Sequence, residues 1–66
     1  MFIRYDVFVS GRRVSTLDKQ EAIEIYRKWK SEGVLPTFTV ETWVPKPRSI
    51  LYMCSTREYL KDEDIF

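Results

Sequence analysis

The chain has 66 residues, a net charge of +1 at pH 7, no histidine and a single cysteine. This composition excludes an internal disulfide, a histidine-ligated zinc site and a histidine acting as a catalytic base. A domain of this length buries only about 60% of the surface that its unfolded chain exposes, so its stability is marginal. Because disulfides and metal sites are excluded, we expect oligomerisation to supply the missing stability.

The chain is expected to form one compact domain over residues 1–66, because it contains no linker, repeat or low-complexity segment. No apolar run approaches the roughly 18 residues of a membrane-spanning helix, so no membrane partner is expected. The start of the chain lacks the basic and then apolar pattern of a secretory signal. We therefore expect a cytoplasmic protein, or one of the host-cell cytoplasm if the source is a virus.

The first two elements in the chain are predicted to form a β-hairpin. Aromatic and β-branched residues alternate with other residues over positions 2–9, which is typical of a strand. Gly11 tolerates the positive φ that a tight connection between two strands needs. Residues 12–16 then return as a second, shorter strand.

A helix is predicted from residue 19 to about residue 32. Asp18 is a favourable N-cap, and Glu21 three residues later has the spacing of a capping box. Gly33 ends the helix as the left-handed residue, which brings Val34 into reach of Trp29 in a Schellman arrangement. One stripe of this helix is apolar and is expected to face the core. It consists of Ala22, Ile25, Tyr26 and Trp29.

Two more strands and a short helix complete the predicted order β-β-α-β-β-α. The third strand covers residues 37–44 and the fourth covers residues 50–54, and the loop between them is stiffened by two prolines. Ser55 and Glu58 repeat the capping-box spacing, which predicts a C-terminal helix from about residue 56 to residue 62. We predict an α+β domain, a four-stranded antiparallel sheet with the main helix across one face.

The opposite face of this sheet is predicted to be apolar and uncovered, and it carries Phe2, Phe8, Trp43, Leu51 and Met53. By alternation, one set of strand residues meets the helix: Ile3, Tyr5, Val7, Phe38, Val40 and Val44. Large exposed apolar patches usually mark interaction sites. Two other interpretations stay open, since the C-terminal segment would cover this face if it folded back, and a one-residue bulge would exchange the faces of a strand.

The main functional hypothesis is a non-catalytic protein-binding module. Its expected partner is another protein, a second copy of the chain, or both. Trp43 is the expected anchor, since Trp is over-represented in interface hot spots. A structural subunit of a larger assembly is an alternative that the sequence does not separate from this one. The predicted interface consists of Trp43, Phe8, Leu51, Met53 and Phe2, with Arg4 and Glu41 as polar neighbours.

A second alternative is a small nucleic-acid-binding protein that uses basic loops. Arg12 and Arg13 follow the first turn, and Lys46 and Arg48 lie between the last two strands. Together with three basic residues of the helix, they would form a discontinuous surface for phosphates. The sequence pI of about 7.8 argues against this hypothesis, because nucleic-acid-binding domains usually exceed about 9. The three helix residues are Lys19, Arg27 and Lys30.

No catalytic site is expected. Cys54 has no histidine to activate it and stands among apolar neighbours, where a buried structural cysteine is the common outcome. A chain this short also has little room for a substrate pocket of several hundred Å3. We therefore expect no metal, no cofactor and no small-molecule substrate.

The opening hairpin and the capped helix start at residues 17–23 resemble the beginning of many small bacterial and bacteriophage proteins. In those proteins, a two-stranded hairpin likewise leads into a capped helix. The resemblance implies a viral or bacterial accessory protein, such as a regulator or inhibitor of a larger protein.

Overall fold

The computed structural model describes residues 1–61, which form a four-stranded antiparallel sheet and one helix. The elements in chain order are β1 (Phe2–Val9), β2 (Arg12–Thr16), α1 (Lys19–Ser31), β3 (Thr37–Pro45) and β4 (Tyr52–Leu60). The spatial order of the strands is β2-β1-β3-β4, and every neighbouring pair is antiparallel. The predicted α+β class and the antiparallel sheet are therefore confirmed.

The predicted C-terminal helix is wrong for the residues that the structure describes. Residues 52–60 form β4, which pairs with β3 along its length. The spacing of Ser55 and Glu58 is a local preference, and pairing with a neighbouring strand overrides it. Lys61 lies in no regular element, and Asp62, where the predicted helix ends, lies outside the described residues.

The N-terminus of α1 is capped by Asp18, as its sequence predicts. The Asp18 carboxylate accepts a hydrogen bond from the Gln20 N–H at 3.0 Å. Thr16 takes part as well, because its hydroxyl accepts from the Asp18 N–H at 3.1 Å and donates to the Glu21 carboxylate at 3.4 Å. The predicted capping box is therefore wrong in its detail, because Glu21 accepts from Thr16 and the Asp18 N–H bonds to Thr16 instead of to Glu21. Thr16 connects the end of β2 to the start of the helix.

The C-terminus of α1 closes in the predicted Schellman motif. Gly33 has a φ of 91°, in the left-handed region. The Val34 N–H donates to the Trp29 carbonyl at 3.4 Å, and the Gly33 N–H donates to the Lys30 carbonyl at 3.1 Å. These two bonds define the motif.

The core lies between α1 and one face of the sheet. Ile23, which is not part of the predicted stripe of α1, is buried, whereas Ile25 from that stripe is only half-buried. The helix packs mainly on β1 and β2, so the start of β4 extends beyond it and Met53 stays exposed. The buried apolar residues are Val7, Ala22, Ile23, Tyr26, Trp29 and Phe38.

The pairing of β3 with β4 decides which residues lie on the sheet face opposite α1, here called the uncovered face. Trp43 pairs with Cys54, and Val44 pairs with Met53. Paired residues share a face, so Cys54 lies with Trp43 on the uncovered face and Met53 lies on the helix side. Leu51 precedes β4, in the loop. The predicted placement of Leu51 and Met53 on the uncovered face is therefore wrong.

A β-bulge then shifts the alternation within β4. Thr42 pairs with Thr56 while its neighbour Trp43 pairs with Cys54, so Ser55 is the extra residue of the bulge. Because of this extra residue, Cys54 shares a face with Arg57, which a regular strand would place on the opposite face.

Candidate functional site

The centre of the uncovered face is a network of charged residues, which contradicts the predicted apolar face. Asp6 on β1 and Glu41 on β3 are 0% exposed. The strand register brings Arg4 and Arg57 to either side of Glu41. Arg13 on β2 reaches Asp6. The network therefore connects all four strands.

The arginines donate most of the hydrogen bonds in this network. Arg4 Nη2 lies 2.7 Å from Glu41 Oε1 and 3.3 Å from Asp6 Oδ2. Arg57 donates to Glu41 Oε2 through Nη2 at 2.8 Å and through Nε at 3.2 Å. Arg13 Nη2 donates to Asp6 Oδ2 at 3.1 Å. Buried carboxylates are tolerated when they are paired in this way.

The surroundings of Glu41 keep its carboxyl ionised. The adjoining Asp6 side chain, and then the hydrogen bonds from Arg57 and Arg4, hold the pKa of Glu41 well below its usual range. Burial acts in the opposite direction, since it disfavours the charged form. The hydrogen bonds outweigh burial, so Glu41 is the anionic centre of the network.

Cys54 borders the network as a protonated thiol. Its Sγ lies 3.4 Å from Glu41 Oε2 and 3.4 Å from the Thr56 carbonyl oxygen. Partial burial, followed by the hydrogen bond to Glu41, raises the pKa of Cys54. The thiolate is the reactive form of cysteine, and these contacts disfavour it.

A cavity of about 440 Å3 lies on the uncovered face, at the end of the sheet that carries the turn between β1 and β2. So short a chain was expected to have little room for a pocket of several hundred Å3, and this cavity was therefore not predicted. We call it the arginine cleft, and its lining includes Asp6, Phe8, Arg13, Thr39, Glu41, Arg57 and Tyr59.

The opposite end of the sheet is apolar on both faces. On the uncovered face, the Phe2 and Trp43 rings stack with centroids 6.0 Å apart and planes 2° apart, and the Tyr52 ring lies 5.2 Å from Phe2. Ile3 and Met53 are exposed on the helix side. We call this end the apolar tip. It comprises Met1, Phe2, Ile3, Trp43, Val44, Ile50, Leu51, Tyr52 and Met53.

The structure divides the predicted protein interface between these regions. Phe2 and Trp43 lie together at the tip, with the Arg4 guanidinium 4.9 Å from the Trp43 ring. Glu41 is buried in the charged network. Phe8 lies at the far end of β1, where the Arg13 guanidinium is 5.9 Å from its ring. Leu51 and Met53 also belong to the tip, although they are not on the uncovered face.

The predicted basic surface is not a single surface. The Arg12 guanidinium lies 4.8 Å from the Trp29 ring and 3.8 Å from Glu32, on the helix side, whereas Arg13 binds Asp6 on the uncovered face. The other residues lie elsewhere on a molecule that is 45 Å long. Lys46 and Arg48 are in the loop at the tip, and Lys19, Arg27 and Lys30 are on α1.

Sequence reasoning missed the contributions of Arg57 and Tyr59 because it ended the fourth strand at Cys54. It missed Tyr52 because it assigned Leu51 and Met53, rather than Tyr52, to the uncovered face. One signal was available. Residues 52–60 contain no Gly, Pro or Asn that would separate a strand from a following helix. An uninterrupted run of this kind favours one long strand.

No protein-family model matches the chain, and no curated protein or solved structure is significantly similar to it. Within residues 1–61, no helix is long and apolar enough to cross a membrane. The same residues bring together no group of three His, Cys, Asp or Glu side chains suited to a metal ion.

Proposed function

We propose that the protein is a non-catalytic protein-binding module that associates through the apolar tip, with a second copy of itself as the occupant. The supporting observation is the distribution of exposed apolar side chains. Of the ten large hydrophobic residues exposed in residues 1–61, seven belong to the tip. Monomeric soluble proteins rarely expose contiguous apolar patches of more than a few hundred Å2 outside interaction sites.

The aromatic part of the tip is suited to an interface. Phe2 and Trp43 form a parallel stack, and Tyr52 packs against Phe2 while remaining 46% exposed. Aromatic side chains bury a large area and have few rotatable bonds, so ordering them at an interface costs little entropy. Trp and Tyr are accordingly the residue types most enriched in interface hot spots.

A second copy fits this surface for two reasons. The tip is apolar on both faces, and α1 packs mainly on β1 and β2, so the helix does not cover the helix-side residues of the tip. In a symmetric dimer, the same patch of both copies meets at the interface. An apolar patch can therefore pack against its own copy without a partner of complementary charge. Association would also supply the stability that a 66-residue chain without disulfides otherwise lacks.

The test compares two leucines of nearly equal exposure. Leu51 in the tip is 61% exposed, and Leu17, outside the tip, is 65% exposed. The solution mass of the wild type and of Leu51→Ala, Tyr52→Ala and Leu17→Ala is measured by light scattering over a dilution series in low and high salt. We expect a dimer whose dissociation constant rises about tenfold or more in Leu51→Ala and Tyr52→Ala. Leu17→Ala should match the wild type.

A monomeric mass at every concentration would overturn the proposal, and so would equal effects of Leu51→Ala and Leu17→Ala. Circular dichroism of each variant checks that the fold is intact. A dimer that survives the lowest concentration in both salt conditions would identify the tip as a permanent interface, in line with a structural subunit.

A further inference from the structure

We propose that the arginine cleft binds a nucleotide unit, a planar base with its phosphate, on the uncovered face. This inference goes beyond the association through the apolar tip and uses other residues. The cavity volume of about 440 Å3 lies in the range of about 300–1,000 Å3 that is usual for ligand pockets. The ligand chemistry follows from the charges and the aromatic rings around the cleft.

The accessible charge of the cleft is positive. Asp6 and Glu41 are 0% exposed, whereas the side chains of Arg13 and Arg57 are 58% and 53% exposed. The two carboxylates therefore lie beneath the guanidinium groups, which meet the solvent. A ligand that enters the cleft meets the cations first, so an anionic group is favoured.

Both arginines keep donors for such an anion. A guanidinium group has five N–H donors. Within the described residues 1–61, Arg13 donates to Asp6 through Nη2 alone, and Arg57 donates to Glu41 through Nη2 and Nε. The carboxylates also hold the two guanidinium groups in place before a ligand arrives, so a phosphate meets preorganised donors.

Two aromatic side chains flank the same cleft. Phe8 lies on β1 and Tyr59 on β4, and β3 runs between them. Thr39 of β3 pairs with Tyr59 on one side and with Asp6 on the other, and Phe8 pairs with Thr37, so the two rings are offset by two residues along β3. Two strand spacings separate β1 from β4 by about 10 Å, so the two rings border the cleft from opposite sides.

The combination of both features selects the ligand class. An inorganic anion or an acidic peptide would use the guanidinium groups but not the rings. Bases stack on exposed aromatic side chains, and arginines bind the phosphates next to them. A nucleotide within a single strand and a free nucleotide share this chemistry, and the experiment separates the two sources.

The experiment uses the full-length protein and two probes, a fluorescent 12-residue oligothymidylate and thymidine monophosphate. Fluorescence anisotropy measures binding of the oligonucleotide at about 50 and 200 mM salt. Competition against the labelled oligonucleotide measures binding of the mononucleotide.

The variants are Arg13→Gln, Tyr59→Ala and Tyr59→Phe. Arg48→Gln is the matched control, because it removes the same charge from the other end of the sheet. Tyr59 is 65% exposed, so its substitution should not disturb folding.

We expect Arg13→Gln and Tyr59→Ala each to weaken binding about tenfold or more. Tyr59→Phe keeps the ring and should recover most of the binding that Tyr59→Ala loses, while Arg48→Gln should behave as the wild type. Competition by the mononucleotide at a similar concentration would identify free nucleotides as the source, and its failure would identify single-stranded nucleic acid.

Three results would overturn the inference: no binding of either probe by the wild type, equal losses in Arg13→Gln and Arg48→Gln, or unchanged binding in Tyr59→Ala. The binding residues under test, Arg13 and Tyr59, lie outside the tip. Failure of the cleft proposal can therefore be distinguished from failure of the self-association proposal.

Discussion

Glu41 connects three strands of the sheet, β1, β3 and β4. It receives hydrogen bonds from Arg4 on β1 and Arg57 on β4, and it also contacts Asp6 and Cys54. A buried charge is costly unless its partners satisfy it. Here the partners come from both neighbouring strands, so the network favours the native register over others.

We expect Glu41→Gln to destabilise the protein by about 2 kcal/mol at neutral pH, because the charge-assisted hydrogen bonds from Arg4 and Arg57 are lost. The variant should also remove a pH dependence. The pKa of Glu41 is lowered in the folded state from its ordinary value of 4.5. Its ionised form therefore stabilises the fold fully above about pH 4.5, and this contribution is lost as the pH falls further.

The measurement is the free energy of unfolding by urea, for the wild type and Glu41→Gln, between about pH 7 and pH 2.5. The wild-type stability should fall more steeply below about pH 4.5 than that of the variant. Parallel curves would contradict this prediction. Glu58→Gln removes an exposed carboxylate of β4 and serves as the control, with an expected change below about 0.5 kcal/mol.

At the scale of elements, α1 and β4 form for different reasons. The two ends of α1 depend on residues within a few positions of each other, such as Asp18 with Gln20 and Gly33 with Lys30. β4 depends on its partner strand, with which it pairs across a bulge. Local substitutions should therefore act predictably on α1.

Gly33→Ala is expected to destabilise the protein by about 1 kcal/mol, because alanine disfavours a positive φ. A Cβ at this position would meet no atom within 4 Å, so the effect is limited to the backbone. Urea unfolding measures it, with an unchanged dependence on urea concentration. Gly33→Asn should lose less stability, since asparagine tolerates the left-handed region. Equal stability of the glycine and alanine proteins would refute this account.

At the scale of the whole molecule, the two surfaces lie at opposite ends of a domain that is 45 Å long. The apolar tip surrounds the loop between β3 and β4, and the arginine cleft lies near the turn between β1 and β2. Self-association at one end would therefore leave the other end accessible to a ligand.

Self-association should also make the stability depend on protein concentration. For a dimer that unfolds to monomers, a tenfold increase in protein concentration is worth about 1.4 kcal/mol. We expect the thermal midpoint of the wild type to rise when the protein concentration is increased a hundredfold. At any given concentration, the midpoint of Leu51→Ala should be lower than that of the wild type. Calorimetry or circular dichroism measures this midpoint. A midpoint independent of concentration would count against association through the tip.

The parts of the fold that sequence analysis predicted correctly depend on short-range chemistry. The hairpin follows from strand alternation and the glycine at position 11, whose φ is 81°. The caps of α1 follow from Asp18 and Gly33. The apolar stripe was predicted correctly except that Ile23 is buried in place of Ile25. Each of these features is encoded within a few residues, so one sequence was sufficient to find it.

The composition of the uncovered face was decided only by tertiary structure. Arg57 and Glu41 are 16 residues apart and Arg4 and Glu41 are 37 apart, and they meet because three strands pair in one particular register. The bulge at Ser55 turns Arg57 and Tyr59 to the same face as Cys54, which no local pattern indicates. The charged centre, the cleft and the limits of the apolar tip all depend on this long-range pairing, because register and bulge position are properties of strand pairs rather than of any single segment.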